Sequence, residues 1–525
     1  MNMPAEGTVG AHRVVGSQSG VRDGATAGEV PASSGFSSWW GLAILVAAIA
    51  FAARLTPLLR GGGLYGLGNY DDGVHFAAAV GLTHGLAPYR DFLFLHPPGV
   101  ILALFPFALL GHVIGDANGF AVARLAWMTL GAVNAVLVMR VLRSSGPGPA
   151  LLAGLFYAVF PPAVYSEQST LLEGPATACL LVAVNLLTVR RQSQAIGRRA
   201  ALLAGVLVGV SAGVKIWGVV VVAAVVAWCA VAQGRRRSAT VLVGAALGVT
   251  VVCLPFFVVA KGAMWRMVVL DQLGRGRTGV AMPVRLKDLL GLAPTGRSGT
   301  VTPLLAAAVL VALAVCVLAW RTPPGRLGLA VLAPVTLLLL ATPSWYVHYA
   351  GLAAAPFAIL VGGAAVEVNR WRGADRRRTA AVTLIAAGLL LSLAVPVAQT
   401  TFGRRFPAPQ LAAGVSTLSG CVTSDDPTAL IELNVLSRNL RRRCPLTVDL
   451  GGYSYDLKTP GGRSVARLEN TAWQKHALTY LASGEAAIVS RFRAGSGFNT
   501  ATAAKVRSWP VSARAGRVTV RVPHR

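Results

Sequence analysis

Charge is what this 525-residue sequence has least of. Asp, Glu, Lys and Arg together make up 13% of it, where a soluble globular protein carries about 25%. That shortage excludes a string of soluble domains. Acids are scarcer still, 20 against 48 Lys and Arg, which leaves a formal net charge of +28. No nucleic-acid-binding motif accompanies the excess, so Arg-rich loops that orient a membrane protein account for it better. Cysteine is sparse, six in all, and no two sit at metal-ligand spacing, which excludes a structural zinc module. There is no internal repeat, which argues against a solenoid and against a transporter built from paired halves.

Long apolar runs are present in quantity. Hydrophobic residues make up 54% of the chain, gathered into stretches near the ~20 residues that cross a bilayer as helix. The runs are 39–58, 99–114, 120–142, 149–165, 171–189, 200–214, 216–233, 238–260, 301–320, 327–342, 349–368 and 379–398. The short run 99–114 reads as re-entrant or interfacial, leaving about eleven transmembrane helices. The stretch 200–233 is interrupted by Lys215. As one helix it would reach roughly 50 Å against a core of about 30 Å, so two short spans turning at Lys215 fit better. With that parity, Arg140 and Arg143, Arg190, Arg191, Arg198 and Arg199, Arg235 to Arg237, Arg321 and Arg326, and Arg370, Arg372 and Arg376 to Arg378 share one side. The positive-inside rule makes that side cytoplasmic. The N-terminus is then cytoplasmic and everything after the last span extracytoplasmic.

Three regions follow. Residues 1–37, rich in Gly, Ser and Ala, read as a disordered cytoplasmic tail, too polar for a usual signal peptide. Residues 38–398 are the transmembrane body. Residues 399–525 alternate apolar and amphipathic segments, with strands expected at 446–450, 486–490 and 518–522 and a helix in 463–482. That alternation predicts a small α/β domain. Cys421 and Cys444 are the only cysteines of this tail. An oxidising compartment lets them pair, closing a loop worth roughly 3 kcal/mol.

The residues able to do chemistry gather at the outer face. The first outer loop reads Asn69-Tyr70-Asp71-Asp72-Gly73-Val74-His75, runs through Gly85-Leu86-Ala87-Pro88-Tyr89 and ends at His96-Pro97-Pro98. Its paired acids either cap the helix that follows or act on a substrate. A second acid cluster holds Glu167 and, at the mouth of a span, Glu173. Lys215 lies in its hairpin, and His348 and Tyr349 end an aromatic segment beginning at Pro343. The outer loop 261–300 breaks the positive-inside pattern with Lys261, Arg266, Arg275, Arg277, Arg285, Lys287 and Arg297. Acids beside cations at one membrane face suit a reaction on a phosphate-bearing lipid. A carboxylate takes the proton of an attacking hydroxyl, and cations hold the departing phosphate.

The order Asp71-Asp72, then Gly85 to Tyr89, then Pro97-Pro98, then Glu173, resembles the GT-C superfamily of polyprenyl-phosphate-sugar-dependent membrane glycosyltransferases. It is most similar to the protein mannosyltransferase and aminoarabinose-transferase branch and its actinobacterial relatives. Asp72 stands where Glu is commoner there, and His96 where Lys often precedes the Pro pair. The resemblance, over about 38–525, implies an inverting glycosyltransferase. A sugar would pass from a polyprenyl-phosphate carrier to an extracytoplasmic cell-wall glycan, glycolipid or protein. Asp71 is then the general base. Asp72 and Glu173 orient donor and acceptor or hold a divalent cation (Mg, Mn or Ca). Lys215, Arg275, Arg277 and His348 bind the lipid phosphate, and His75, His96 and Tyr349 line the substrate site. A groove between spans holds the prenyl chain. The alternatives are a transporter or flippase of lipid-linked sugars, which needs midplane acids or broken helices, and a non-catalytic scaffold, which leaves the paired acids unexplained.

Overall fold

A computed structural model describes residues 34–188, 197–276, 279–292, 301–372, 376–457 and 465–524. Arg190, Arg191, Arg277, Arg297 and the stretch 1–33 lie outside the described residues. The chain is helical from α1 (Ser34–Arg60) through α2 (Tyr70–Thr83), α3 (Gly99–Ile114), α4 (Asp116–Val141), α5 (Pro147–Val159), α6 (Pro161–Glu167), α7 (Glu173–Thr188), α8 (Arg198–Val214), α9 (Gly218–Gln233) and α10 (Arg235–Trp265). After the short helices α11 (Asp271–Leu273) and α12 (Met282–Leu289) come α13 (Val301–Trp320), α14 (Pro323–Ala341), α15 (Gly351–Arg372) and α16 (Arg376–Gln399).

All eleven expected spans are present as helices, with α5 and α6 forming one span bent by 57°. Seven helices among the described residues are long and apolar enough to cross a bilayer alone, eight segments if the bent pair is one span. The shortfall from eleven lies in α7, α8 and α9, of 16 or 17 residues. At 1.5 Å per residue they reach only about 25 Å. They are short because α7 begins at Glu173 and α8 stops at Lys215, so each ends at a buried polar residue instead of at the membrane surface. Small residues set the spacing of α8 and α10. A Cβ on Gly205 or Gly209 would lie 2.2 or 2.1 Å from the Val241 or Ala245 carbonyl oxygen, and Gly244 and Gly248 face α8 in return. This is the small-residue contact by which helices pack where water supplies no drive. The outermost helices, α13 and α16, turn Leu310, Leu313, Leu384 and Ile385 outward. Such apolar surface suits lipid and not water.

The C-terminal part adds α17 (Ala408–Ser416), β1 (Val422–Ser424), α18 (Pro427–Glu432), α19 (Leu436–Arg441), α20 (Tyr453–Asp456), α21 (Thr471–Ala482), β2 (Ala486–Val489), β3 (Arg493–Ala494), β4 (Gly497–Phe498), α22 (Thr500–Ser508), β5 (Val511–Ala515) and β6 (Val518–Arg521). Its main sheet runs β1-β2-β6-β5, with β1 and β2 parallel and the other pairs antiparallel. The expected strands at 486–490 and 518–522 and the expected helix are found. Residues 446–450 are not a strand. Val448 and Leu450 are buried, but Asp449 accepts from the Gly452 amide at 2.6 Å and turns the chain. Cys421 and Cys444 are joined by a disulfide. The other four cysteines, Cys179, Cys229, Cys253 and Cys316, are free.

Residues Leu42–Arg525 form one compact unit, because the C-terminal part is bonded down onto the helices. Asp116, opening α4, accepts from the Ser437 amide at 2.8 Å and its hydroxyl at 2.6 Å. The Gly451 amide donates to the Tyr70 hydroxyl at 2.9 Å. Gly62 N–H donates to the Phe402 carbonyl at 2.9 Å. The α4 end at Arg140, the α8 start at Arg198 and the α15 end at Arg370 therefore lie at the opposite pole of the helices from this part.

Candidate active site

The N-terminus of α2 is capped by Asn69, whose side chain accepts from the Asp71 amide at 3.0 Å. Neither acid has to do that work. Successive helix positions point about 100° apart, and Asp71 and Asp72 diverge accordingly. Asp72 is fully buried and paired with Arg124 at 3.0 Å. Arg124 also donates to the Leu64 and Gly66 carbonyls and lies 3.6 Å from Glu432. Burial raises the pKa of Asp72 despite the Arg124 charge, and it lifts Glu432 to about 8. Asp72 thus points into its Arg124 pair and not into the cluster around Asp71 and His348, where it was expected to orient substrate. It ties α2 to α4 and α18.

Asp71 keeps its side chain 30% exposed, with Oδ2 3.8 Å from His348 Nε2. Glu173 lies across from it, 4.0 Å from the same nitrogen. The Lys215 side chain is only 3% exposed. It turns inward to pair with Glu173 Oε1 and sits 4.3 Å over the Tyr349 ring. Arg275 donates to the Tyr349 hydroxyl at 3.3 Å and stacks 4.5 Å over Tyr455. Tyr455 in turn shares a hydrogen bond of 2.7 Å with the Tyr346 hydroxyl. His75 and His96 stand edge to face, ring centroids 5.5 Å apart, with their pKa values lowered by burial.

The structure therefore gathers Asp71, Glu173, Lys215, Arg275, His348, Tyr349, His75 and His96 from six separate stretches of chain. It leaves Asp72 out, and Arg277 lies outside the described residues. Sequence reading missed three members. Asp449 is buried, with its pKa raised to about 6 by desolvation and then by the Asp71 charge. Tyr455 stacks on Arg275, and Asp456 pairs with Arg266 at 3.1 Å. Asp449 comes from the stretch misread as a strand, and Tyr455 and Asp456 from the segment just after it. Its Gly451-Gly452 pair followed by Tyr453-Ser454-Tyr455-Asp456 was the available signal. Glu167 belongs elsewhere, in a buried network with Arg54, Asn134 and Tyr157.

Among the described residues no three His, Cys, Asp or Glu side chains are arranged to hold a metal ion. Asp72 and Glu173, the pair expected to do so, each face a cation instead. The described residues of the site do not fit a divalent cation.

Residues 94–343 match the model of glycosyltransferase family 87. No curated protein matches the sequence. The fold matches that of ArnT from Cupriavidus metallidurans in the apo state, at 15% identity over 93% of this chain and 98% of that one, with a TM-score of 0.61. ArnT bound to undecaprenyl phosphate gives 14%, 92%, 98% and 0.60. The Archaeoglobus fulgidus oligosaccharyltransferase AglB, in complex with an inhibitory peptide and a dolichol-phosphate, gives 12%, 87%, 70% and 0.55. The shared architecture is the GT-C membrane fold with a small C-terminal sheet region.

Proposed function

We propose that the chain is a membrane glycosyltransferase of the GT-C superfamily, as its fold and the partial family match support, and that it moves one sugar from a polyprenyl-phosphate carrier to an extracytoplasmic acceptor. The acceptor is a cell-wall glycan, a glycolipid or a protein. The observation that carries this reading is the Asp71 carboxylate. Asn69 frees it from capping, it is partly exposed, and it looks across the site at Lys215, Arg275 and His348. The neighbours named above bind polyprenyl phosphates of the kind proposed.

In the proposed reaction the acceptor hydroxyl oxygen attacks the anomeric carbon from the face opposite the phosphate. Its proton passes to Asp71. The bond from anomeric carbon to phosphate oxygen breaks, and the phosphate leaves with the electron pair. One displacement inverts the anomeric centre. Lys215 stabilises the departing charge, and Arg275 holds the carrier phosphate both before and during its departure. Asp72, through Arg124 and Glu432, fixes the start of α2 and so the direction in which Asp71 points. The catalytic face and residues 399–525 are extracytoplasmic. The basic helix ends at Arg140, Arg198, Arg235 to Arg237 and Arg370 are cytoplasmic, as the positive-inside rule requires. Profiling the lipid-linked and wall glycans of a deletion strain tests this. A glycan truncated by one sugar, restored by the wild-type gene, is the expected result. The same truncation with lipid-linked sugar stranded on the cytoplasmic leaflet favours a flippase instead, and an unchanged profile contradicts both.

A further inference from the structure

Two buried acceptors in the site have bonding capacity left over. His75 is 1% exposed, and its Nδ1 lies 2.9 Å from the Thr170 carbonyl oxygen. A carbonyl only accepts, so Nδ1 carries the proton. Burial keeps the ring neutral. Nε2 is then a bare lone pair, and it has no hydrogen-bond partner among the described residues. Glu173 Oε2 is the second such atom, its other oxygen being held by Lys215. Interiors seldom leave such groups unpaired. His75 stands four residues after Asp71, so both side chains lie on the same face of α2. The charges that act on it are those of Asp71, Glu173 and Lys215.

Acceptors call for donors. A phosphodiester offers only acceptors and a prenyl chain offers neither. The sugar is the part of the donor substrate that carries hydroxyl protons. We propose that His75 Nε2 accepts a hydrogen bond from one hydroxyl of the transferred sugar and so helps decide which sugar is transferred. This rests on the glycosyl-transfer reading above and adds a specificity-determining residue to it. Removing the matching hydroxyl strands the buried lone pair, which costs about 10- to 100-fold in kcat/KM.

Two substitutions separate the roles of the two ring nitrogens. His75→Asn can still donate to Thr170 but lacks the far acceptor. His75→Gln places an amide oxygen near the position of Nε2 and gives up the Thr170 contact. The assay uses the purified full-length protein and a panel of polyprenyl-phosphate sugars, each compared with its monodeoxy analogues. Wild type should reject one deoxy analogue about 10- to 100-fold more than the others. His75→Asn should transfer the parent sugar more slowly and lose that rejection, while His75→Gln keeps it. The inference is overturned if His75→Asn discriminates as wild type does, the result expected where Nε2 binds only water. It is equally overturned if His75→Gln alone is impaired, which would leave the Thr170 contact as the whole role. Failure of wild type to transfer any sugar in the panel overturns the parent reading instead.

Discussion

Glu167 and Glu173 stand on either side of one tight turn, are each 1% exposed, and each meets a buried cation. They nevertheless end in opposite conditions. Glu167 is saturated. Arg54 reaches one oxygen through two nitrogens, and Asn134 and Tyr157 donate to the other at 2.6 and 2.7 Å. Glu173 shares one oxygen with Lys215 and keeps the other bare among the described residues. A buried ion pair is costly to desolvate and worthwhile only when its remaining bonding positions are filled. The Glu167 pair meets that condition and holds helices α1, α4, α5 and α6 together. The Glu173 pair does not meet it, and it sits where Asp71, His348 and Arg275 converge. The difference separates a structural charge from one held ready for a ligand.

Substitutions should break the two pairs differently. Glu167→Ala strands Arg54 among apolar helices and should cost about 3–5 kcal/mol of stability, seen as little protein in the membrane and a lowered unfolding temperature in detergent. A normal level of stable protein would contradict the structural role. Asp449 sharpens the comparison, being a buried carboxylate that accepts from the Gly452 amide. Its pKa is raised from 3.8 to about 6. The folded protein holds that proton more tightly than the unfolded chain does, so stability falls as pH rises from about 4 to about 6, by up to roughly 3 kcal/mol. Asp449→Asn should therefore gain stability relative to wild type between pH 4.5 and 7 in parallel thermal melts. A pH-independent difference would remove Asp449 from the account. Glu173→Gln should spare stability more than Glu167→Ala does, since Lys215 keeps the Tyr349 ring. It should cost about 100-fold in transfer rate, and full activity would return Glu173 to the structural class. Arg275→Ala should give the smallest effect, a rise of about tenfold in donor KM overcome by more donor. A loss confined to kcat would place Arg275 elsewhere in the reaction.

Much of this was legible in the sequence. The helix count, the turn at Lys215, and the convergence of Asp71, Glu173, Lys215, Arg275 and His348 at one end of the helices followed from apolar runs and Arg placement, which report bilayer physics directly. Asp72 could not be sorted from Asp71, because adjacent acids look alike until the helix phase and the position of Arg124 are known. Glu173 stood out by its place at the mouth of a span, but the role of Glu167 was hidden, since it depends on Arg54, distant in sequence, reaching over. Asp449 was hidden because alternation at 446–450 mimics a strand, while the actual path is a buried turn held by the Asp449 side chain.

One substitution tests directly whether Asp71 is the general base. Asp71→Asn preserves size and hydrogen bonding and removes basicity. Helix capping is already supplied by Asn69, so the fold should be indifferent to the change. The measurement is transfer by the purified variant from a polyprenyl-phosphate sugar that wild type uses. Loss of general-base catalysis predicts a fall of about 10²–10⁴-fold, or roughly 3–5 kcal/mol of barrier, at normal protein levels. Transfer at the wild-type rate would contradict the assignment.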